Sequence, residues 1–151
     1  MNEIASKAPW HLWAVGIVSL LWSLVGVNDY TQTQLGNLSY LEGAAQQMNV
    51  PVEEMMAYFQ SFPAWMDAAW AFGVWGALAG SIVLLFRSGH AVVVFAVSLA
   101  GLAATTAYQV IAGTPDWATG GINTVISIVI WSIATFLLTY SVSMKNKGVL
   151  R

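Results

Sequence analysis

The chain has 151 residues, room for one domain; 58% are hydrophobic, 8% charged, and the mean hydropathy is +0.66. Soluble domains carry about 25% charged residues, and a core this small cannot hide so much apolar surface, so lipid has to solvate it. The absence of cysteine excludes a disulfide framework, a thiolate metal site and a thiol redox relay, and five scattered bases form no nucleic-acid surface.

Residues 1–9 are a short polar lead with Glu3 and Lys7. The first apolar span covers 10–27, about 27 Å as a helix and enough to cross a hydrocarbon core. A cleaved signal peptide is the rival reading, but the exit Asn28-Asp29-Tyr30 offers no small-residue cleavage site, so a retained helix is expected.

Residues 28–70 hold five of the seven acids and none of the five bases, and they cannot be buried in lipid as a whole. Within the outer segment 31–63, Leu38, Leu41, Ala45 and Met48 recur at helical spacing. Pro51 suits a first helical position, with Glu53 and Glu54 favoured by the helix dipole. Val52, Met55, Met56, Phe59 and Phe62 then share one face. That face either packs along the membrane surface or serves as a partner surface, for which Met55, Met56, Phe59 and Phe62 are the candidates.

Three further spans follow at about 64–86, 91–111 and 122–142. Arg87-Ser88-Gly89-His90 is too short for anything but an antiparallel connection, and Gly113 to Gly121 makes the last turn. A polar tail, 145–151, closes the chain. With four spans, Lys7, Arg87, Lys145, Lys147 and Arg151 share one side with Glu3, and Asp29, Glu42, Glu53, Glu54, Asp67 and Asp116 share the other. By the bias of lysine and arginine towards the cytoplasm, both termini are expected inside and residues 28–66 in the periplasm. The expected fold is an all-α membrane protein: four transmembrane helices in an antiparallel bundle, with a short helical outer segment between helices 1 and 2.

Between helices in lipid, close backbone approach matters more than the hydrophobic effect. Gly73, Gly76 and Gly80 of span two are expected to meet the alanines of span three, Ala100 and Ala104 among Ala96, Ala103 and Ala107. Span one carries Gly16, Ser19, Ser23 and Gly26 on one line. Trp10, Trp13, Trp65, Trp70 and Trp117 fall near interfaces, while Trp22, Trp75 and Trp131 lie deeper and are expected to bond to Ser23, Ser127 or carbonyls.

Asp29, Tyr30, Gln32, Asp67, Tyr108, Gln109 and Asn123 would lie at similar depth if four helix ends meet, forming a polar mouth for a neutral solute. The alternative is that they only satisfy helix ends. His11 and His90 start spans one and three on the same side; a haem between them is a third, weaker idea, and no metal site or other cofactor is expected. No span has an ionisable residue near its midpoint, which argues against proton-coupled pumping. No nucleophile–base pair or phosphate loop occurs, so an enzyme is not expected.

Trp10-His11-Leu12-Trp13, Asp29-Tyr30-Thr31-Gln32-Thr33-Gln34, Tyr58-Phe59-Gln60-Ser61-Phe62-Pro63-Ala64-Trp65, the stretch 73–80 and Gly148-Val149-Leu150-Arg151 are spread over nearly the whole chain. In these the chain resembles a group of small four-helix bacterial inner-membrane proteins that often carry a generic sugar-transporter label. The resemblance implies the four-span fold and the inner membrane, and it brings no site residues. Pro51-Val52-Glu53-Glu54 stands where related chains have a shorter Pro-Glu helix start. The expected function is therefore association in the bilayer, as an accessory subunit of another membrane protein or a homo-oligomer. The alternative is a small oligomeric carrier for a neutral polar solute such as a sugar.

Overall fold

A computed structural model describes residues 7–151, so Glu3 lies outside the described part. Every regular element there is an α-helix: α1 (Trp10–Gln34), α2 (Leu38–Met48), α3 (Val52–Gln60), α4 (Ala64–Leu85), α5 (Ala91–Ala112), α6 (Asp116–Thr119) and α7 (Ile122–Asn146). Helices α1, α4, α5 and α7 are long and apolar enough to cross a membrane, which marks a multi-pass membrane protein.

The four prolines set where helices begin. Pro9, Pro51, Pro63 and Pro115 stand directly before α1, α3, α4 and α6, with φ of −67°, −61°, −69° and −58°. A proline at this boundary loses no intrahelical donor and holds the chain extended as the helix starts. Pro51 is thus the cap of α3 and not its first helical residue, so the helix begins one place later than expected, at Val52.

Helix α1 runs seven residues beyond the expected end at Val27, so 31–34 belong to it and not to the outer segment. Its polar end stays helical because side chains bond within it: Thr31 Oγ1 donates to the Val27 carbonyl at 2.7 Å and Gln32 Nε2 to Asn28 Oδ1 at 3.4 Å. It stops at Gly36, whose φ of +61° lets Gly36 N reach the Thr33 carbonyl and Asn37 N the Gln32 carbonyl, both at 3.0 Å. Asn37 then caps α2 by accepting from Tyr40 N.

Helices α4 and α5 make the closest contact. Gly80 lies under the Phe95 ring, Gly76 against Ser98, and Gly73 against Gly101 and Leu102. Ser98 Oγ donates across to the Gly73 carbonyl at 2.5 Å. The glycine half of the expected contact is therefore present, but the alanine half is not. Ala96, Ala100, Ala103 and Ala107 are exposed and Ala104 is half-buried; α5 turns Phe95, Ser98, Gly101 and Thr105 inward instead. The buried hydroxyl of Ser98 requires an acceptor, and a glycine at 101 admits a closer backbone than alanine.

On α1, Gly16 meets Leu85 and Gly26 meets Val74 of α4. Between them Ser23 Oγ is buried without a hydrogen-bond partner. The expected indole bond to Ser23 is not made, and Trp22 and Trp75 are exposed.

Buried apolar side chains gather at two ends. At the basic end lie Leu12, Leu84, Ala91, Phe95, Leu137, Met144, Val149 and Leu150. The tail is not simply polar: Val149 and Leu150 fold under the helices, and Arg151 N donates to the Arg87 carbonyl at 2.8 Å while Arg87 Nε donates to the Val149 carbonyl at 3.2 Å. These bonds hold Arg87 at φ +58°, a conformation costly for a side-chain-bearing residue. At the acidic end, Leu41, Ala45 and Met55 form the centre of a small cap built by α2 and α3.

Candidate functional site

The seven residues expected to form a polar mouth separate into three groups. On the α1 side, Asp29 accepts from Tyr40 OH at 2.7 Å, Gln32 Oε1 from Asn37 Nδ2 at 2.7 Å, and Asp67 Oδ1 from Gln34 Nε2 at 3.1 Å. Tyr30 stands edge-on to Trp70 at 4.9 Å. Burial, then the hydrogen bond and charge of Asp29, push the Tyr40 phenol up to about 12. On the α5 side, Tyr108 packs edge-on against Phe62 and Trp65, and Gln109 reaches Tyr58. Burial raises the Tyr58 phenol, and hydrogen bonding with the Thr114 and Gln109 side chains takes back only part of that rise. Asn123 is apart from both, donating to the Trp117 carbonyl at 2.9 Å.

Between the groups lies α3. Tyr58 stands edge-on to Trp117 at 5.4 Å, Phe59 stacks on Trp70 at 5.8 Å, and Glu54 accepts from Trp117 Nε1 at 3.0 Å. The helical ends therefore do not form one open mouth; an aromatic plug fills the middle.

This also decides where the methionine and phenylalanine face goes. Met55 is 1% exposed and Phe62 8%, with Met56 and Phe59 half-buried. As a partner surface, the group Met55, Met56, Phe59 and Phe62 is corrected: its two most buried members are spent inside the chain, because α2 and the aromatic rings already cover them.

Two cavities among the described residues bear on function. The larger, about 350 Å³, is an apolar groove between α1 and α7, walled by Ala14, Val15, Val18, Ser19 and Trp22 on one side and Ile133, Phe136 and Leu137 on the other. Ser19 adds no polarity, since its hydroxyl donates to the Gly16 carbonyl. The groove's basic end is closed by His11 Nδ1 paired with Tyr140 OH at 2.6 Å. His90 pairs instead with Ser88 Oγ at 3.0 Å. Helix α7 packs on its neighbours through Leu137, Ser141 and Met144, while Ile122, Val125, Ile126, Ile128 and Val129 are exposed. Only 11% of its most apolar stretch is buried. The smaller cavity, about 140 Å³, lies beneath the cap beside Asp67.

Sequence reasoning missed the groove, since Val18, Trp22 and Phe136 read as ordinary lipid-facing residues and lie far apart in the chain. No protein-family model, curated protein or solved structure matches this chain.

Proposed function

We propose that the protein is a non-enzymatic association module of the bacterial inner membrane, akin to the four-span proteins its sequence resembles. In this reading α1, α4, α5 and α7 form an antiparallel bundle with both termini cytoplasmic and the cap periplasmic. The reverse order of the contacts Gly73–Gly101, Gly76–Ser98 and Gly80–Phe95 supports the antiparallel pairing. The observation that carries the function is the sideways groove between α1 and α7. It is apolar, lies within the spans, and borders a helix whose outer half is unpartnered inside the chain. A helix of a second copy or of another membrane protein would gain close packing there, the main source of association in lipid. The carrier reading has less support, because the polar groups at the acidic end are bonded in separate groups around an aromatic plug.

Val18→Trp with Phe136→Trp fills the groove from its own walls. Both sites are exposed, at 65% and 50%, so stability should change by no more than about 0.5 kcal/mol each. After mild extraction the wild-type chain is expected to run as a complex, with itself or a partner, and the filled variant alone. A wild-type chain that sediments alone, or a filled variant that keeps its complex, contradicts the proposal.

A further inference from the structure

The small cavity under the cap has walls of a distinctive kind. Asp67, Gln34 and Gln60 bring polar groups, Met56, Phe59 and Leu41 bring apolar ones. Among the described residues Asp67 Oδ1 accepts one side-chain hydrogen bond, from the uncharged amide of Gln34 at 3.1 Å, and its charge also acts on the Tyr30 phenol. No lysine or arginine occurs anywhere between Lys7 and Arg87, so the acidic end supplies no ammonium or guanidinium of its own to face this carboxylate. The Phe59 ring is fixed by stacking on Trp70 at 5.8 Å, and Met56 offers a polarisable thioether.

A carboxylate beside a fixed aromatic ring and a thioether suits a compact cation bearing carbon substituents. The charge is met by Asp67 and by the electron-rich ring face, while methyl groups fill the apolar wall. A metal ion is a poor match, since among the described residues no three histidine or acidic side chains are placed to share one. A drug-sized molecule needs about 300–1,000 Å³, well above the 140 Å³ here. The six acidic side chains Asp29, Glu42, Glu53, Glu54, Asp67 and Asp116 would also draw cations towards this end.

We infer that the recess walled by Asp67, Phe59, Met56 and Gln60 binds a small organic cation, such as a methylated or primary amine. This inference is independent of the α1–α7 groove, which lies in the spans.

The test uses the full chain in maltoside micelles, which carry no ammonium group. Tetramethylammonium is the probe and tert-butanol its uncharged counterpart, each followed by saturation transfer to its methyl protons. Tetramethylammonium should show saturable binding and tert-butanol none. Asp67→Asn should weaken binding about tenfold or more, the worth of close attraction between opposite charges at an effective dielectric well below that of water. Phe59→Leu should weaken it by about two- to fivefold. Glu42→Gln, an exposed acid outside the recess, should bind as wild type, which separates a local site from general attraction to the acidic end. Far-ultraviolet circular dichroism confirms that each variant is folded, and Asp67→Glu, which keeps the charge, should retain part of the affinity. The inference is overturned if wild type does not bind the probe, if folded Asp67→Asn binds it equally, if Glu42→Gln loses it as fully, or if tert-butanol binds as tightly.

Discussion

Gly101→Ala is expected to destabilise the protein by about 2–3 kcal/mol, the upper part of the range for overpacking a close contact. A Cβ there would lie 2.5 Å from the Ala69 carbonyl oxygen and 2.6 Å from Gly73 N. Both are backbone atoms of α4, so relief requires the two helices to separate, and that would also stretch the Ser98–Gly73 hydrogen bond. Two comparisons isolate the cause. At Gly16 an added Cβ meets the tip of the Leu85 side chain, which turns aside at a cost of about 1 kcal/mol. At Ala100, one residue from Gly101 but exposed, leucine should change stability by no more than about 0.5 kcal/mol. Unfolding in mixed dodecyl sulfate and maltoside micelles, followed by circular dichroism, ranks the three. If Ala100→Leu proves more damaging than Gly101→Ala, the helix contact has been assigned to the wrong face.

Met55→Ser is the second large effect, and it should be local. Met55 is 1% exposed at the centre of a cap whose fully buried apolar core is only Leu41, Ala45 and itself. Truncating a buried methionine costs about 2–5 kcal/mol, and serine leaves a hydroxyl to satisfy as well. A core of three residues has little to offset that loss. The cap should open while the four long helices stay packed, because regions with few buried contacts open separately from the rest. Limited proteolysis reports it: cleavage around Asn49–Pro51 should appear in Met55→Ser and not in Leu38→Ser, which alters an exposed position on α2. A Met55→Ser cap as resistant as wild type would show that α3 is held mainly by its bonds to Trp117.

Why some of this was legible in the sequence and some was not follows from how each feature is encoded. Apolar length and the separation of acids from bases are properties of whole segments, so four membrane-crossing helices could be read from them. The direction in which a helix presents its residues is harder. On α5 an alanine row and a Phe95-Ser98-Gly101-Thr105 row both suit close packing, and the choice depends on which row the α4 glycines face. The expected end of α1 at Val27 falls short because Asn28 and Asp29 read as an exit, whereas the helix continues to Gln34 and the backbone reverses hand at Gly36. In the proposed site, Asp67 could be named from its place at a helix start, but its neighbours Met56, Phe59 and Gln60 could not. They reach it only because the cap folds back over α4. Likewise Val149 and Leu150 look like a short end segment until their bonds to the turn at Arg87 are seen.

In the proposed orientation the cap and the basic turns face opposite compartments. Because the chain holds no cysteine, Gln46→Cys in α2 and Asn146→Cys at the end of α7 each introduce one thiol, both at exposed positions. A maleimide that cannot cross the inner membrane, applied to intact spheroplasts, should label Gln46→Cys and reach Asn146→Cys only after the membrane is opened. Labelling of Asn146→Cys in intact spheroplasts, or protection of Gln46→Cys there, would contradict the proposed orientation.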